Sequence, residues 1–293
     1  MQGKIIVITG ANSGIGKQTA LELAKTGAKI IMVCRSEKRG EAARQAIIKA
    51  TNNQKVELFL CNLSEQSSIQ EAGMRFRANY SHIDVLINNA GAIFGDYQET
   101  SDGLERTFAL NHMGYFLWTH YLLDLLKKAD KARIINVASL AHTFPRKMDW
   151  ENLQYKYNYT QFGAYGLSKL CNVYFTQVLS NRLNKITQTG ITVNCLHPGT
   201  ISTGFGDSGN WFFRNLVKIG RPFLASPRTG AATSVFLATS PKVSKVTGKY
   251  FVRCKEKRTS RLAQNYENAK KLWDISMELG KVEEYGVVNV NEV

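Results

Sequence analysis

Residues 4–16 read Lys-Ile-Ile-Val-Ile-Thr-Gly-Ala-Asn-Ser-Gly-Ile-Gly, an apolar run that passes directly into a glycine-rich turn. An unbroken run of Ile and Val is typical of a strand that is buried on both faces of a parallel sheet. Glycines let the backbone of the turn pass close to a ligand, and a helix that follows presents unpaired amides to an anion. The stretch therefore predicts a strand, an anion-binding turn and a helix in immediate succession.

Similar apolar runs recur along the chain and alternate with stretches of helical spacing. This order predicts an α/β fold, a single doubly wound parallel sheet of the Rossmann type with helices on both faces. No repeat or low-complexity linker divides the sequence, so we expect one domain over residues 1–281 and an acidic C-terminal tail over residues 282–293. The further predicted strands are residues 30–33, 56–60, 85–87, 134–137 and 191–196.

Two polar residues mark predicted helix starts, because their side chains can accept hydrogen bonds from the first free amides. Ser36 is the expected N-cap of the second helix. Asp102 is the expected N-cap of one long helix that carries Leu104, Phe108 and Phe116.

Two segments lack clear periodicity, residues 140–162 and residues 199–228. Long irregular segments in compact α/β domains are usually binding loops or lids. The second contains Phe205 and the run Trp211-Phe212-Phe213, whose apolar surface suits a hydrophobic ligand, so we expect a small substrate lid at about 199–228. An exposed insertion, or packing in the core or at a subunit contact, is the alternative for these residues.

The composition is that of a globular protein with a marked excess of positive charge. Of 293 residues, 44% are hydrophobic and 21% are charged, which excludes global disorder. The net charge of +15 leaves three classes of partner open: nucleic acid, an anionic membrane surface and a phosphorylated small molecule. The excess is densest in the last third, where residues 253–261 hold five bases and one acid. Without interleaved aromatics this segment does not indicate nucleic-acid binding; a solvated loop is the simplest interpretation, and attraction to an anionic membrane is the functional alternative.

The five cysteines form no CxxC pair and have no histidine cluster beside them, so the sequence predicts neither a disulfide framework nor a metal site. No segment approaches 18 consecutive apolar residues, so we expect no transmembrane helix. The first strand begins within five residues of Met1 and leaves no room for a signal peptide. We therefore expect a cytoplasmic protein.

The turn after the first strand spaces its glycines as G-x-x-x-G-x-G, at Gly10, Gly14 and Gly16. It is not a P-loop, because Gln18 stands where that motif needs Ser or Thr, and it is not the G-x-G-x-x-G fingerprint either. Binding of a pyrophosphate group and a tight strand-to-helix turn without a ligand both fit this spacing. The residues at the end of the second strand favour the binding of a ligand with a pyrophosphate group.

At the end of the second strand an acidic residue would bind the ribose hydroxyls of NAD, but this chain has Cys34-Arg35-Ser36. The guanidinium fork of Arg35 suits a 2′-phosphate, and Lys38 and Arg39 follow it. The missing acid and the base present in its place predict NADP(H) as the cofactor.

Four further motifs follow in order along the β-α pattern. After the fourth strand comes Asn88-Asn89-Ala90-Gly91, the long helix holds Asn111, Ser139 follows the fifth strand, and Tyr165 and Lys169 begin a later helix as Tyr-x-x-x-Lys. Together with the glycine turn, these motifs resemble those of the short-chain dehydrogenase/reductase family, from residue 3 to about residue 280.

The chemistry of carbonyl reduction asks for these residue types. An acid must protonate the developing alkoxide, and a tyrosine pKa near 10 is too high for easy exchange at neutral pH. Lys169, four residues after Tyr165 on one helix face, can lower that pKa, while Ser139 can orient the substrate oxygen. The resemblance implies that Tyr165 is the general acid and base, that Lys169 also binds the nicotinamide ribose, and that Asn111 supports a proton relay through a water.

The resemblance also implies a set of cofactor contacts. One pair departs from the family pattern, because many relatives carry Asp-Leu where this chain has Asn62-Leu63. The predicted cofactor-binding residues are Gly10, Asn12, Ser13, Gly14, Ile15, Gly16, Arg35, Asn62, Leu63, Asn89, Ala90, Gly91, Tyr165, Lys169, Pro198, Gly199, Thr200 and Thr203.

Within the family the chain is most similar to the retinol dehydrogenase-like reductases. The likeness rests on Cys34-Arg35, the 26-residue step from Ser139 to Tyr165, Ser139-Leu140-Ala141-His142 and Gly248-Lys249-Tyr250-Phe251. It implies reversible, NADPH-dependent hydride transfer to a lipophilic carbonyl compound such as a retinal-like molecule, a fatty aldehyde or a steroid. Many animal members begin with a membrane anchor, which this sequence does not show. A non-catalytic NADP(H)-binding regulatory protein is the alternative, and the resemblance allows monomers or homo-oligomers.

Overall fold

The computed structural model describes residues 1–186, 190–199 and 226–288, which form one eight-stranded sheet with helices on both faces. The strand order is β3-β2-β1-β4-β5-β6-β7-β8, with every neighbouring pair parallel except the last. The predicted α/β doubly wound fold is thus confirmed, as a mostly parallel sheet. The strands are β1 (Ile5–Thr9), β2 (Lys29–Cys34), β3 (Val56–Leu60), β4 (Val85–Asn88), β5 (Arg133–Val137), β6 (Thr192–His197), β7 (Tyr250–Val252) and β8 (Lys255–Lys257).

Helices cross between the strands and close both faces of the sheet. In chain order they are α1 (Gly14–Ala24), α2 (Glu37–Thr51), α3 (Gln66–Asn79), α4 (Arg106–Phe108), α5 (Gly114–Lys127), α6 (Gln161–Ile186), α7 (Pro227–Thr239) and α8 (Tyr266–Leu279). A short π-helix, Ala109–Met113, joins α4 to α5, and we call it the π-turn. Short 3₁₀ turns occupy Leu140–Thr143, Pro241–Val243 and Leu262–Gln264.

The core has two layers because successive strand residues point to opposite faces of the sheet. In β1, Val7 faces the layer that α3, α5, α6 and α8 cover, whereas Ile6 and Ile8 face the layer under α1, α2 and α7. All three side chains are fully buried, as expected for a strand covered on both faces. The sheet is therefore a rigid base, and the loops at its ends can carry the polar residues.

The last two strands differ from the sequence-based expectation. The sequence favours a solvated loop over residues 253–261, but these residues include β8, which pairs antiparallel with β7. The turn between them places Arg253 and Cys254 at φ of 50° and 61°, the left-handed region that a tight hairpin requires. All three residues of β8, Lys255–Lys257, are exposed. Charged side chains on an edge strand hinder pairing with another chain, which accounts for part of the local basic excess.

The long helix also departs from its prediction. It is interrupted by the π-turn, in which the amide of Gly114 reaches back to the carbonyl of Ala109. Glu105, not Asp102, caps α4, because its carboxylate accepts from the amides of Thr107 and Phe108, each at 2.7 Å. Asp102 instead accepts from the amide of Gln66 at the start of α3, at 3.0 Å. The cap predicted at Ser36 is confirmed by its bond from the amide of Arg39.

The sequence predicts a lid at about 199–228. Residues 200–225 of that segment lie outside the described residues. Near the C-terminus, Tyr285 and Gly286 pack against α5. The hydroxyl of Tyr285 donates to the carbonyl of Phe116 at 2.7 Å, and the amide of Gly286 donates to His120 Nδ1 at 3.0 Å.

Candidate active site

The predicted site residues gather at one edge of the sheet. The glycine turn follows β1, Asn89 follows β4, Ser139 follows β5 and Pro198 follows β6. These four strands are parallel, so their carboxyl ends lie side by side. In open α/β sheets this edge is where ligands bind.

The glycine turn packs closely against the loop after β4. Gly10 and Gly14 have φ of 66° and 53°, which glycine adopts without strain. A Cβ on Gly10 would lie 2.9 Å from the Cα of Ala90, and a Cβ on Gly16 would collide with the carbonyl of Gly10. Larger residues would therefore displace the turn, whose close-approaching backbone fits a pyrophosphate group.

Asn89 and Thr9 hold the two loops together. The side-chain amide of Asn89 donates to the carbonyl of Thr9 at 2.8 Å. The hydroxyl of Thr9 accepts from the backbone amides of Asn89 at 2.8 Å and Ala90 at 2.9 Å. The Asn88-Asn89-Ala90-Gly91 motif thus fixes the glycine turn, in addition to any contact with a ligand.

A group of cations without acidic partners lies at the end of β2. Arg35, Lys38 and Arg39 are exposed, and none forms an ion pair within the part of the chain that the structure describes. Ser13 precedes α1 in an extended conformation, and its side chain makes no cap hydrogen bond. Three cations beside a helix N-terminus with a free hydroxyl suit a phosphate group.

Cys34 lies beneath the glycine turn. Backbone amides of Ala11 and Asn12 hydrogen-bond its sulfur, but burial dominates and raises the pKa of the thiol to about 11. The side chain is therefore a neutral packing residue at neutral pH.

The departure from the family pattern at Asn62 has a local structural consequence. The side-chain amide of Asn62 donates to Glu65 Oε1 at 2.6 Å, and its oxygen accepts from the hydroxyl of Ser64 at 2.8 Å. Asn62 therefore shapes the turn between β3 and α3, with one amide hydrogen left over for another acceptor. Leu63 beside it is buried.

Ser139 and Tyr165 meet directly. Ser139 precedes the 3₁₀ turn Leu140–Thr143, and its hydroxyl oxygen accepts from the amide of Ala141 at 3.1 Å. The same hydroxyl hydrogen-bonds the oxygen of Tyr165. Burial raises the pKa of Tyr165 to about 12, and the bond from Ser139 acts in the opposite direction.

Lys169 lies one turn after Tyr165 on α6 and is almost completely buried, at 2% exposure. Its ammonium donates to the carbonyl of Val137 at 3.0 Å and lies 5.6 Å from the ring centre of Tyr165. Burial, with no carboxylate partner among the residues that the structure describes, lowers the pKa of Lys169 to about 7. Burial thus favours the neutral form of this lysine, while its cationic form would favour a tyrosinate at Tyr165.

Asn111 occupies the π-turn, and both polar atoms of its side chain are hydrogen-bonded. Its oxygen accepts from the amide of Ala92 at 2.9 Å, and its amide donates to the carbonyl of Ala92 at 2.9 Å and to Ser168 Oγ at 3.0 Å. A Cβ on Gly91 would lie 3.1 Å from Asn111 Oδ1 and 3.3 Å from Lys169 Nζ. Asn111 thus ties the loop after β4 to α6 beside the lysine.

The structure adds residues to the site that the motifs did not indicate. Tyr115 is fully buried, its ring centre lies 5.6 Å from Lys169 Nζ, and its hydroxyl has no partner among the described residues. Asn136 accepts from Asn88 and donates to Thr176, both at 2.9 Å, in a buried network behind the site. A polar residue inside an apolar strand is the signal that identifies Asn136, whereas nothing in the pattern of α5 distinguishes Tyr115.

The end of β6 completes the described edge. Pro198 and Gly199 directly follow the strand, and Gly199 has φ of 96°. Thr200 and Thr203, also predicted to contact the cofactor, lie outside the described residues. Across residues 1–186, 190–199 and 226–288 no group of His, Cys, Asp and Glu has a metal-binding arrangement. None of the helices in those ranges is long and apolar enough to cross a membrane.

Solved structures share this architecture. An uncharacterised protein from Mycobacterium paratuberculosis superposes with a TM-score of 0.76 at 31% identity, over 96% of this chain and 94% of its own. The 3-ketoacyl-(acyl-carrier-protein) reductase from Brucella melitensis, complexed with NADH, superposes with a TM-score of 0.66 at 25% identity, over 85% of this chain and 96% of its own.

Sequence comparison gives the family. Retinol dehydrogenase 12 from Mus musculus is 39% identical over 277 residues, which cover 94% of this chain and 86% of the relative. The family model for short chain dehydrogenases matches residues 4–210, a range that includes the glycine turn, Asn111, Ser139 and the Tyr165–Lys169 pair. With these motifs at one edge of a Rossmann-type sheet, the chain belongs to the short-chain dehydrogenase family of oxidoreductases and is retinol dehydrogenase-like.

Proposed function

We propose that the protein is an NADPH-dependent oxidoreductase that transfers hydride reversibly between the nicotinamide and a lipophilic aldehyde, ketone or alcohol. The observation that carries this proposal is the meeting of Ser139, Tyr165 and Lys169 beside the glycine turn. When bound, the cofactor supplies or accepts the hydride. The chain must then orient the substrate oxygen and move a proton.

Ser139, Tyr165 and Lys169 have complementary roles in that proton transfer. Ser139 orients the substrate oxygen, and Tyr165 gives its hydroxyl proton to the alkoxide or takes it back in the reverse direction. A protonated Lys169 stabilises the tyrosinate that remains and so opposes the effect of burial on the tyrosine. Asn111 fixes the backbone next to Lys169, and we propose that it supports proton exchange with solvent from there.

Arg35 supports the proposed preference for NADP(H) over NAD(H). The Brucella reductase was solved with NADH, which supports a nicotinamide cofactor in general and leaves the choice between the two forms to local charge. Arg35 directly follows β2, where an acid would receive ribose hydroxyls, and Arg35, Lys38 and Arg39 form no ion pair among the described residues, so we assign NADP(H).

The substrate class rests on apolar surface at the described site and on the named relatives. Leu140 and Phe144, in the turn after Ser139, are 55% and 54% exposed, and Phe162 before Tyr165 is 41% exposed. Large apolar side chains around a polar centre suit a lipophilic substrate. The relative named retinol dehydrogenase points the same way. The proposed substrates are retinal-like molecules, fatty aldehydes and steroids, under a lid at about 199–228.

We also propose that the protein acts in the cytoplasm and is attracted peripherally to anionic membranes. Arg253, Arg258 and Arg261 are exposed, and Ser260 between them hydrogen-bonds His142 in the turn after Ser139. The basic segment therefore lies beside the site, where it would bring the entrance toward a lipid surface that holds lipophilic substrates.

The experiment that tests the proposed function follows NADPH consumption over retinal, fatty aldehydes, steroids and quinones. We expect turnover of at least one class, with NADPH preferred to NADH. Tight NADPH binding without turnover of any class would instead indicate a non-catalytic regulatory protein, a reading that the complete Ser-Tyr-Lys set opposes.

A further inference from the structure

Two histidines that the proposed mechanism does not use contact the turn that carries Ser139. The amide of Leu140 donates to His197 Nδ1 at 3.1 Å. The ring of His142 lies with Nδ1 2.7 Å from the carbonyl oxygen of Ser139. The carbonyl and the amide of the Ser139–Leu140 peptide unit are therefore each hydrogen-bonded to an imidazole ring.

The hydrogen-bond partners determine the tautomer of each ring. An amide can only donate, so His197 Nδ1 must be unprotonated and its proton must be on Nε2. The amide of Ser260 donates to His142 Nε2 at 3.2 Å, so the proton of His142 must be on Nδ1, from which it donates to Ser139. Protonation of either ring would place an N–H against an N–H and break one of these bonds.

The surroundings of both rings favour the neutral form. His142 is 1% exposed and packs edge-on against the ring of Tyr250 on β7, with 4.9 Å between ring centres. His197, at the end of β6, is half-buried and faces His142 and Arg253 of the β7–β8 turn. Burial lowers the pKa of both histidines below its ordinary value, and Arg253 lowers that of His197 further. Within the described residues, no acid faces either ring to oppose these shifts.

The turn needs such support, because a 3₁₀ helix of four residues has weak internal hydrogen bonds. We propose that His142 and His197 are positioning residues, which as neutral imidazoles of opposite tautomer hold Ser139 where it can orient the substrate oxygen. This inference rests on the proposed function. His142 and His197 act on turnover through Ser139.

His197 offers the sharper test because it is only half-buried and its variants should fold. Asparagine places its side-chain oxygen on the same carbon that carries Nδ1, so His197→Asn keeps the acceptor for Leu140 and cannot titrate. His197→Leu removes the acceptor. His82, near the opposite end of β4 beside Asp84, gives the matched control His82→Leu.

The kinetic readout is the NADPH-dependent reduction of all-trans-retinal and decanal across pH 5 to 8. A small displacement of a catalytic group costs up to about 100-fold in rate. We expect His197→Leu to lower kcat by roughly 10-fold or more with the Kd for NADPH unchanged. We expect His197→Asn to restore kcat and to shift the acid limb of the pH profile to lower pH, and His82→Leu to change neither. Wild-type kcat in His197→Leu would overturn the proposal, as would failure of His197→Asn to restore kcat.

A readout without turnover is the long-range ¹H–¹⁵N spectrum of the five histidines. At pH 7 we expect His142 with its proton on Nδ1 and His197 with its proton on Nε2. A doubly protonated ring, or the opposite tautomer, at either position would contradict the arrangement. Absence of turnover in the wild type would overturn the proposed function and with it the catalytic role of the pair, whereas turnover equal in wild type and His197→Leu would overturn the positioning alone.

Discussion

Lys169 is in an environment unlike that of an ordinary lysine. It is buried, it bonds only a backbone carbonyl among the described residues, and its pKa is lowered to about 7. The spacing of Tyr165 and Lys169 predicts their shared helix face, but the sequence does not show this burial. Lys169 is buried because two other segments approach it, one through Gly91 and one through the ring of Tyr115.

The lowered pKa of Lys169 predicts a pH dependence of stability. Between about pH 7 and the ordinary lysine pKa near 10.4, the unfolded chain holds a proton on this residue that the folded chain has lost, so stability gains from this residue as pH rises. We expect the Tm of the wild type, relative to that of Lys169→Met, to increase from pH 7 to pH 9.5. A difference in Tm that is constant with pH, measured by differential scanning calorimetry, would refute the lowered pKa.

Arg35 gives the residue-level test of cofactor choice. Arg35→Asp removes the guanidinium that we assign to a 2′-phosphate and supplies an acceptor for ribose hydroxyls. We expect kcat/KM for NADPH to fall by roughly 10- to 100-fold and that for NADH to rise, because a charge-assisted hydrogen bond contributes about 1.5–3 kcal/mol. Lys49→Asp, at the far end of α2, is the matched control. An unchanged ratio between the two cofactors in Arg35→Asp would rule out the assigned role.

At the scale of elements, the sequence predicts best where the hydrophobic pattern is strong. The six apolar runs all become strands β1 to β6. The β7–β8 hairpin is not predictable in this way, because Lys255–Lys257 has no apolar alternation and its turn uses Arg253 and Cys254 in place of glycine or asparagine. The π-turn is likewise not predictable from the local sequence, because Asn111 stabilises it through hydrogen bonds to segments distant in sequence.

The π-turn gives a prediction about stability and activity together. Asn111→Ala leaves the amide and carbonyl of Ala92 without their side-chain partner in a part-buried position. Each unpaired buried polar group costs about 1–3 kcal/mol, so for two such groups we expect the free energy of unfolding in urea to fall by about 2–6 kcal/mol, with a loss of turnover. Asn79→Ala, at the exposed end of α3, should change neither by much. Equal unfolding midpoints for Asn111→Ala and the wild type would contradict the role of the side chain.

At the scale of the whole molecule, the net charge of +15 is only partly explained by the site. Arg35, Lys38 and Arg39 suit the cofactor phosphate, and the lysines of β8 protect a sheet edge. A further exposed group, Arg253, Arg258 and Arg261, belongs to the segment whose Ser260 hydrogen-bonds His142 in the turn after Ser139. Composition alone indicates the charge, but only the fold brings this C-terminal segment beside the active site.

This arrangement predicts binding to anionic membranes. We expect the protein to sediment with vesicles that contain phosphatidylserine, less with neutral phosphatidylcholine vesicles, and less again as salt rises. The double variant Arg258→Glu with Arg261→Glu should weaken sedimentation with anionic vesicles and leave NADPH binding unchanged. Equal partitioning of the wild type to both kinds of vesicle would remove the electrostatic attraction.

In the proposed mechanism Tyr165 protonates the substrate oxygen at a site formed with Ser139 and Lys169. The most direct measurement compares wild type and Tyr165→Phe in NADPH-dependent reduction of a lipophilic aldehyde, with NADPH binding followed in parallel by fluorescence. General acid catalysis contributes about 10²- to 10⁴-fold, so we predict a loss of kcat in that range with an unchanged Kd for NADPH. Reduction by Tyr165→Phe at the wild-type rate would show that Tyr165 is not the proton donor.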